Sequence, residues 1–337
     1  MGAIWFTRDL LVNSVSDIIG IKAGLALNRA ELKPHIPNWA HVMWDEEADA
    51  PLRVRSEEYE DIVAHTLHRL GNTKSPSAIP HRLRMLHAVK NDPRKFEIYT
   101  GLTKELPAFL EKALAFATTT RAATIDPTPF AEFAVKNFGP EGGLMALELL
   151  GGLNEDMHKS PWSSFRRQDW KDTKQLAELF QSEDLKTQYG QFLDQRFIDY
   201  LAENFPSIDD INWRKFEGLT AEFFARLGYK VDIGAGRNDE NVDCRAWKTA
   251  GDGPPTVIVQ CKRQKEKVSK VVLKALYADV VHEKARSGLI VTTSDLSPGA
   301  KKTRTARGYP VGAADRQTLK GWLQRMRTPF SGVFLDE

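Results

Sequence analysis

Three polar side chains interrupt two apolar segments in the last third of the chain. Asp243 lies between apolar residues, and Gln260 and Lys262 lie in the run Val257-Ile258-Val259-Gln260-Cys261-Lys262. Alternate residues of a strand point to opposite faces, so Gln260 and Lys262 share one face. A carboxylate in an apolar strand costs free energy unless it is paired or bound to a metal. The pattern therefore favours a functional site over ordinary core.

These side chains can meet only if two strands form a hairpin. Antiparallel pairing through a turn at Gly251 to Pro255 would bring Asp243 beside Gln260. The surrounding pattern alternates helices and strands, which predicts an α/β domain with a mixed central sheet. The predicted helices are 213–227, 267–285, 298–307 and 315–325, and the predicted strands are 229–233, 241–247, 256–262, 288–293 and 309–313.

The first two hundred residues instead show helical periodicity broken by polar, Pro and Gly loops. They predict a mostly α-helical N-terminal domain at 1–205. A Pro and an acidic cluster at 206–211 predict a linker, and 212–337 form the α/β domain. The predicted N-terminal helices are 17–28, 57–70, 80–89, 106–118, 129–138, 143–150, 172–181 and 188–204.

Composition excludes several protein classes. With 337 residues, 42% hydrophobic and 27% charged, the chain can bury a sizeable core. Two cysteines are too few for a disulfide scaffold, which favours a reducing compartment. No run is long enough for a membrane helix, and Arg8 and Asp9 interrupt the start where a signal peptide would be apolar. We therefore expect a cytoplasmic protein with no membrane partner.

The net charge of +2 conceals an uneven distribution. Residues 212–337 carry 23 Lys and Arg against 14 Asp and Glu, whereas residues 1–211 carry 24 against 31. A basic domain beside an acidic one indicates a polyanionic partner for the basic domain, although a solvated Lys-rich surface remains the simple alternative.

An ordered series of motifs over about residues 212–325 resembles the Mrr-type restriction endonucleases, a branch of the PD-(D/E)xK nucleases. The series comprises Phe216-Glu217-Gly218-Leu219, Leu227-Gly228-Tyr229, Gly236 to Asp239, Val242-Asp243, Val259-Gln260-Cys261-Lys262, Gly288 to Ser294, Gly299-Ala300 and the helix 319–323. The resemblance implies DNA cleavage with a divalent metal, and a role in restriction or antiphage defence.

Carried onto this sequence, the resemblance makes Asp243 the metal-binding aspartate, and Gln260 and Lys262 the first residue and the lysine of the (D/E/Q)xK signature. Glu217 matches the family's helical glutamate and would complete the metal shell. The neutral carbonyl of Gln260 is a weaker ligand than a carboxylate, which leaves the number of metals open. Asp239, in a glycine loop, is expected to be structural or to contact the metal indirectly.

Oxygen ligands of this kind suit Mg²⁺, for which Mn²⁺ could substitute. The metal would polarise the phosphate and lower the pKa of a bound water, while Lys262 would orient that water and stabilise the transition state. Phosphate contacts are expected from basic residues after the catalytic strand and on the later helix, namely Arg263, Lys265, Lys267, Lys270, Lys301, Lys302, Arg304 and Arg307.

Simpler interpretations stay open for each residue. Asp243 and Lys262 could form a structural ion pair, and Gln260 could make a strand hydrogen bond. Glu217 could be a solvated carboxylate, with Glu222 on the same helix competing for its role. Cys244 and Cys261 face away from the site and are interpreted as packing groups.

Function also has alternatives. A non-catalytic nucleic-acid-binding or scaffold protein could keep the same fold, and RNA or junction cleavage is open because the chemistry acts on the phosphate. His65 and His68 lack further zinc ligands, and no P-loop or GxSxG motif occurs. NTP-driven movement would thus need a separate ATPase partner. Double-strand cleavage needs two active sites, which favours a homodimer or larger assembly, and the N-terminal region could sense modified DNA, bind an activating partner or build that assembly.

Overall fold

The structure, a computed structural model, describes residues 2–120, 126–185, 187–236, 242–248 and 253–327. The helices are α1 (Arg8–Ala23), α2 (Arg29–Leu32), α3 (His41–Asp45), α4 (Ser56–Arg69), α5 (His81–Val89), α6 (Pro93–Thr120), α7 (Thr128–Lys159), α8 (Leu176–Gln181), α9 (Gln195–Glu203), α10 (Trp213–Arg226), α11 (Lys270–His282), α12 (Pro298–Arg307) and α13 (Arg316–Met326). The strands are β1 (Ala3–Thr7), β2 (Leu25–Ala26), β3 (Pro51–Arg55), β4 (Lys174–Gln175), β5 (Lys230–Ile233), β6 (Cys244–Trp247), β7 (Val257–Lys262), β8 (Ser287–Thr292) and β9 (Val311–Ala314).

The N-terminal region is mostly helical, as predicted, but it also contains two small sheets that the prediction missed. β1 pairs antiparallel with β3, and β2 pairs parallel with β4. β2 and β4 have two residues each and lie far apart in the chain. Their pairing is set by tertiary packing, which local periodicity does not show.

Helices α5, α6 and α7 form a hydrophobic cluster of their own around Leu102, Phe130 and Leu149. The two predicted helices at 129–138 and 143–150 are parts of α7. The predicted break between them is a kink at Gly139, which adopts φ 73° and ψ −169°. Glycine adopts a positive φ without a Cβ clash. Pro140, the next residue, has no backbone N–H to donate to the preceding turn, so it fits at a kink where that hydrogen bond is already broken.

The C-terminal region is built on a mixed sheet of strand order β5-β6-β7-β8-β9, as the α/β alternation predicted. β5, β6 and β7 are antiparallel neighbours, and β7, β8 and β9 are parallel neighbours. Helices α10 and α13 cover one face, on which Cys244 and Val259 are buried. Helices α11 and α12 cover the other, on which Ile258 and Ile290 are buried.

The segment 206–211, predicted as a linker, packs into the hydrophobic core. Ile208 and Ile211 are buried in a hydrophobic cluster that also includes Leu11 and Phe197 from the N-terminal region and Phe216 from α10. Asp209 in this segment accepts two hydrogen bonds from the Arg316 guanidinium, at 2.6 and 3.0 Å. The N-terminal helices and one face of the C-terminal sheet therefore share a single core.

Among the described residues, no helix combines the length and the apolar composition that a membrane crossing requires.

Candidate active site

The hairpin of β6 and β7 places Asp243 against the segment that carries Gln260. Cys244 pairs with Val259, so Asp243 enters β6 at the level of Gln260. The backbone N–H of Asp243 donates to the Val259 carbonyl at 2.9 Å. The Asp243 carboxylate oxygen Oδ2 accepts a hydrogen bond from the backbone N–H of Cys261 at 2.5 Å. The juxtaposition predicted from the sequence is thus present in the fold.

Gln260 is almost completely buried, with 3% of its surface exposed. Strand alternation places it on the face of Ile258, which packs against α11. Among the described residues, no donor lies within hydrogen-bond reach of its carbonyl oxygen Oε1. A buried acceptor without a partner costs about 1–3 kcal/mol, and such atoms have an identifiable reason in native structures.

Lys262 lies at the end of β7, half-buried, two residues after Gln260. Its carbonyl oxygen accepts hydrogen bonds from Thr292 Oγ1 at 2.8 Å and from the Thr293 N–H at 3.3 Å. These bonds hold the ends of β7 and β8 together and fix the backbone at Lys262. The described part of the chain supplies no ion-pair partner for the Lys262 ammonium, so the Asp243–Lys262 ion pair considered above is not formed.

Glu217 is buried on α10, and its Oε2 accepts a hydrogen bond from Arg214 at 2.7 Å. The same Arg214 nitrogen donates to the carbonyl of Gly234 at 2.9 Å, at the start of the glycine loop. Because α10 packs on the face of Cys244, Glu217 approaches the hairpin from the side opposite Gln260. Its assignment as a metal ligand remains a prediction.

The competing glutamate on α10 has another task. Glu222 is 1% exposed, and its Oε2 accepts hydrogen bonds from the backbone N–H groups of Gln191, Phe192 and Leu193. Its Oε1 accepts from Arg226 at 2.8 Å. Glu222 therefore fastens the loop before α9 to α10.

Both cysteines lie on the α10 face of the sheet, opposite the face of Gln260. Cys244 is fully buried, and Thr220 Oγ1 lies 3.5 Å from Cys261 Sγ. The neighbouring Cys244 and burial raise the pKa of the Cys261 thiol well above its ordinary value. A thiol that is held in its protonated form is a packing group and not a nucleophile.

The predicted phosphate-binding residues lie on two segments that the fold brings together. Backbone hydrogen bonds from Val268 to Asp295 (2.8 Å) and from Ser297 to Val268 (2.9 Å) join the loop after β7 to the start of α12. This places Lys265 and Lys267 beside Lys301 and Lys302, and all four are exposed.

Four of the predicted phosphate contacts have partners or are partly covered. Lys301 pairs with Asp295 at 2.6 Å, which lowers the pKa of that carboxyl. Arg263 donates to the carbonyl of Asp209 at 2.8 Å, Arg304 is half-buried, and Arg307 donates to the Tyr309 hydroxyl at 3.0 Å. These residues are therefore less available to a ligand than Lys265, Lys267 and Lys302.

Sequence reasoning missed Arg214, Thr292 and Thr293 as supporting residues. Arg214 lies three residues before Glu217, a spacing at which side chains on a helix meet, and that spacing was a usable signal. Thr292 and Thr293 donate hydrogen bonds to the Lys262 carbonyl on the neighbouring strand β7, and no local sequence pattern predicts these bonds.

The donor set suits a hard divalent cation. No group of three or more His, Cys, Asp or Glu side chains with metal-binding geometry occurs within the described residues, and Asp239 lies outside them. However, the unpartnered Oε1 of Gln260 and the adjacent Asp243 carboxylate are oxygen ligands of the kind that Mg²⁺ binds, usually with only one or two carboxylates from the protein. The residues present therefore fit such an ion.

Comparison with known proteins extends these observations. No curated protein matches the chain. One similar solved structure is "MspJI Restriction Endonuclease in Complex with 27-mer Oligonucleotide", at 16% identity and a TM-score of 0.31. The similarity covers 52% of this chain and 39% of the MspJI chain, so it spans about two fifths of that protein and is too loose to align individual residues. The family model Mrr_cat, described as a restriction endonuclease, matches residues 208–323. The C-terminal part of this chain, over residues 208–323, is a restriction endonuclease domain of the Mrr type.

Proposed function

We propose that the protein is a metal-dependent endonuclease that hydrolyses DNA phosphodiester bonds in restriction or antiphage defence. The observation that carries the proposal is the buried, unpartnered carbonyl of Gln260 beside the Asp243 carboxylate. At an ordinary buried strand position we would expect the amide to have a hydrogen-bond donor or an apolar side chain to stand in its place, because an unsatisfied carbonyl destabilises the fold. The family match over residues 208–323 supports the same reaction class.

Each residue has a defined task in this chemistry. A bound Mg²⁺ or Mn²⁺ would polarise the scissile phosphate and supply a nucleophilic water at neutral pH. Asp243 and Gln260 would hold the ion, Asp243 being oriented by the Cys261 N–H. The Lys262 ammonium, two residues beyond Gln260 and without an ion-pair partner among the described residues, would neutralise negative charge that develops on the phosphate oxygens.

DNA is the proposed substrate because the basic residues are positioned to follow a nucleic-acid backbone. Lys265 and Lys267 on one loop and Lys302 on α12 are exposed on adjoining segments. Contacts of this kind bind phosphates without reading bases, so they account for affinity and salt dependence but not for a target sequence.

The N-terminal region would act as a control or assembly module. It shares its core with the sheet, so a change in its packing would reach α10 and the hairpin. We further propose a homodimer or larger assembly, because cutting both strands of a duplex needs two active sites, and an ATPase, if one takes part, would be a separate partner.

The test is cleavage by the purified full chain of supercoiled plasmid and of single-stranded RNA, with Mg²⁺, with Mn²⁺ and with EDTA. Asp243→Asn and Lys262→Ala should each reduce metal-dependent DNA cleavage by about 100-fold or more, the usual effect of losing one electrostatic catalytic group. The matched controls are Asp232→Asn on β5 and Lys320→Ala on α13, two exposed side chains whose replacement removes the same charges outside the site.

Each result decides between the candidate functions. DNA nicking that EDTA and Asp243→Asn abolish, while both controls remain active, supports the proposal. Cleavage of RNA alone would show that the substrate is RNA and not DNA. DNA binding without cleavage in either metal would favour a non-catalytic scaffold that keeps the nuclease fold. Full activity of Lys262→Ala would overturn the assignment of the site.

A further inference from the structure

A cleft lined by several charged side chains lies where the N-terminal helices meet the end of α10. Its volume is about 450 Å³, within the range of small-molecule sites. Its walls include Lys22 from α1, Arg167 from the segment between α7 and α8, Asp199 from α9 and Arg226 from α10. Arg226 lies nine residues after Glu217, about 13 Å along the helix axis, so this cleft is separate from the candidate active site.

Lys22 supplies a buried cation. It is 3% exposed, and its ammonium donates to the backbone carbonyl oxygens of Ser163 (2.7 Å) and Phe165. Burial and the nearby Arg166 lower the pKa of Lys22 to about 8. The surroundings therefore disfavour the charged form of Lys22, and an anion bound nearby would stabilise it.

Arg167 supplies a second cation with spare hydrogen-bonding capacity. Its NH2 group donates to the Asn72 carbonyl at 2.7 Å, but its buried Nε–H has no acceptor among the described residues. Burial lowers the pKa of Arg167 to about 10, although the nearby carboxylates of Glu155 and Asp199 act in the opposite direction, and Arg327 adds to the lowering. Arginine keeps its charge at neutral pH, so this group is a donor that lacks a complete set of acceptors.

His158, which also lines the cleft, is neutral. Its Nδ1 accepts a hydrogen bond from the Arg167 N–H at 3.2 Å, and its Nε2 lies 2.5 Å from the Asn72 Oδ1. The ring therefore stays neutral: burial, then Arg167 and Lys22, lower its pKa to about 2. Neutral His158 leaves the charge balance of the cleft to its lysine, arginines and single aspartate.

Those charges do not cancel. The lining contains three cations and one carboxylate, and Arg226 is paired with Glu222. One unit of positive charge remains on the lining, because Asp199 offsets one of the two remaining cations, and Glu155 also acts on Arg167. Lys22 bonds to backbone carbonyls and not to a carboxylate. A phosphate group suits Lys22 and Arg167 because it carries up to two negative charges and several acceptor oxygens, and the arginine fork binds it with favourable geometry.

We propose that this cleft binds a small phosphate-bearing ligand, whose phosphate contacts Lys22 and Arg167. Trp170 and Tyr189, in an edge-to-face pair with ring centroids 4.7 Å apart, form an aromatic wall beside these cations. Phosphate of this kind is present in free inorganic phosphates and in nucleotides. The ligand would bridge α1 and the end of α10, and so connect the N-terminal region to the nuclease domain.

The test is isothermal titration calorimetry of the full chain in EDTA, which keeps the measurement independent of cleavage. The probes are inorganic phosphate, pyrophosphate, AMP and ATP. Arg167→Gln should weaken the binding of the best probe by about tenfold or more, since it removes a charge-assisted hydrogen bond. The matched control is Arg94→Gln, which removes the same charge from an exposed position on α6.

A second series of variants changes an exposed residue, so that a loss of folding does not account for a change in binding. Gln168 lies exposed at the rim of the cleft, so its charge can be changed without disturbing the core. Gln168→Glu should weaken binding and Gln168→Lys should strengthen it, each by about 2- to 5-fold, the range of exposed charge interactions.

The outcomes are distinct. Tighter binding of AMP or ATP than of the inorganic probes identifies a nucleotide ligand, and the reverse order identifies a free phosphate. The proposal is overturned if no probe binds at a concentration of about 10 mM. It is also overturned if Arg167→Gln and the Gln168 series bind the best probe as the unchanged chain does, or if a DNA oligonucleotide displaces that probe completely.

Discussion

Replacement of Gln260 by methionine should make the metal-free protein more stable and at the same time inactive. Met has a similar length and volume, so the strand and α11 keep their packing. It removes a carbonyl oxygen that has no hydrogen-bond donor within the described structure. The cost of such a buried acceptor is about 1–3 kcal/mol, and the thioether does not incur it.

The structure sets the expected size of the effect. Gln260 is 3% exposed, so water relieves little of the cost, and we expect a gain of about 1 kcal/mol in the free energy of unfolding. That gain corresponds to a rise of about 2 °C in Tm for a chain of this size. Saturating Mg²⁺ should reverse the order, because a ligand at 100 times its Kd stabilises the unchanged protein by about 2.7 kcal/mol.

The assay is urea denaturation and calorimetry of both proteins in EDTA and in Mg²⁺, together with plasmid cleavage. Gln195→Met is the control, since the amide of Gln195 bonds to Asp199, Arg226 and the Met326 carbonyl. This control should lose about 1–3 kcal/mol in both buffers. The reasoning fails if Gln260→Met destabilises the metal-free protein by more than about 1 kcal/mol, or if it cleaves DNA at the unchanged rate.

Three further predictions concern the framework around the site. His158 has a pKa lowered to about 2 by burial and by Arg167 and Lys22, so only the unfolded state gains its proton as pH falls below about 6.5. Stability should fall by up to about 1.4 kcal/mol per pH unit there, and His158→Gln should flatten the urea-denaturation profile between pH 6.5 and 4.5; an unchanged slope would contradict this. Glu222→Gln should cost about 2–3 kcal/mol in urea denaturation, because three backbone N–H groups and Arg226 bond to its carboxylate, and a cost below about 0.5 kcal/mol would show that the loop does not depend on it. Phe197→Ala should cost about 3–5 kcal/mol and speed hydrogen exchange in β7, whereas Leu102→Ala should affect only the α5–α7 cluster; equal protection of β7 in both variants would argue against a shared core.

The α/β region was predictable in detail because its local signals agree with one another. Ser297 caps α12 through a hydrogen bond from the Ala300 N–H at 3.2 Å, and α12 begins at Pro298 as expected. The helices and strands from residue 213 onward are all present near their predicted positions. Strong periodicity, caps and turns specify such elements over short distances.

The N-terminal region was less predictable. Its predicted helix at 17–28 is observed as α1 over Arg8–Ala23, and the predicted helix at 188–204 begins only at Gln195. In both cases tertiary packing set the bounds of the helix in place of the local apolar periodicity. Asp194 caps α9 through the Arg196 N–H and also bonds the Arg196 guanidinium. The same guanidinium donates to the carbonyl of Gly24 at 2.9 Å, a residue far away in the chain, so tertiary contacts fix the start of α9.

The sequence by itself determined the nuclease-type sheet, the pairing of Asp243 with the Gln260 strand and the basic character of that domain, because strand alternation, turn residues and charge are local properties. Only the tertiary structure decided that the predicted linker is buried, that Glu222 supports a loop, that Glu217 pairs with Arg214, and that Lys22 and Arg167 share a cleft. These outcomes depend on which distant side chains are desolvated together. Burial and hydrogen-bond partnership arise from the whole packed chain, so no sequence window contains them.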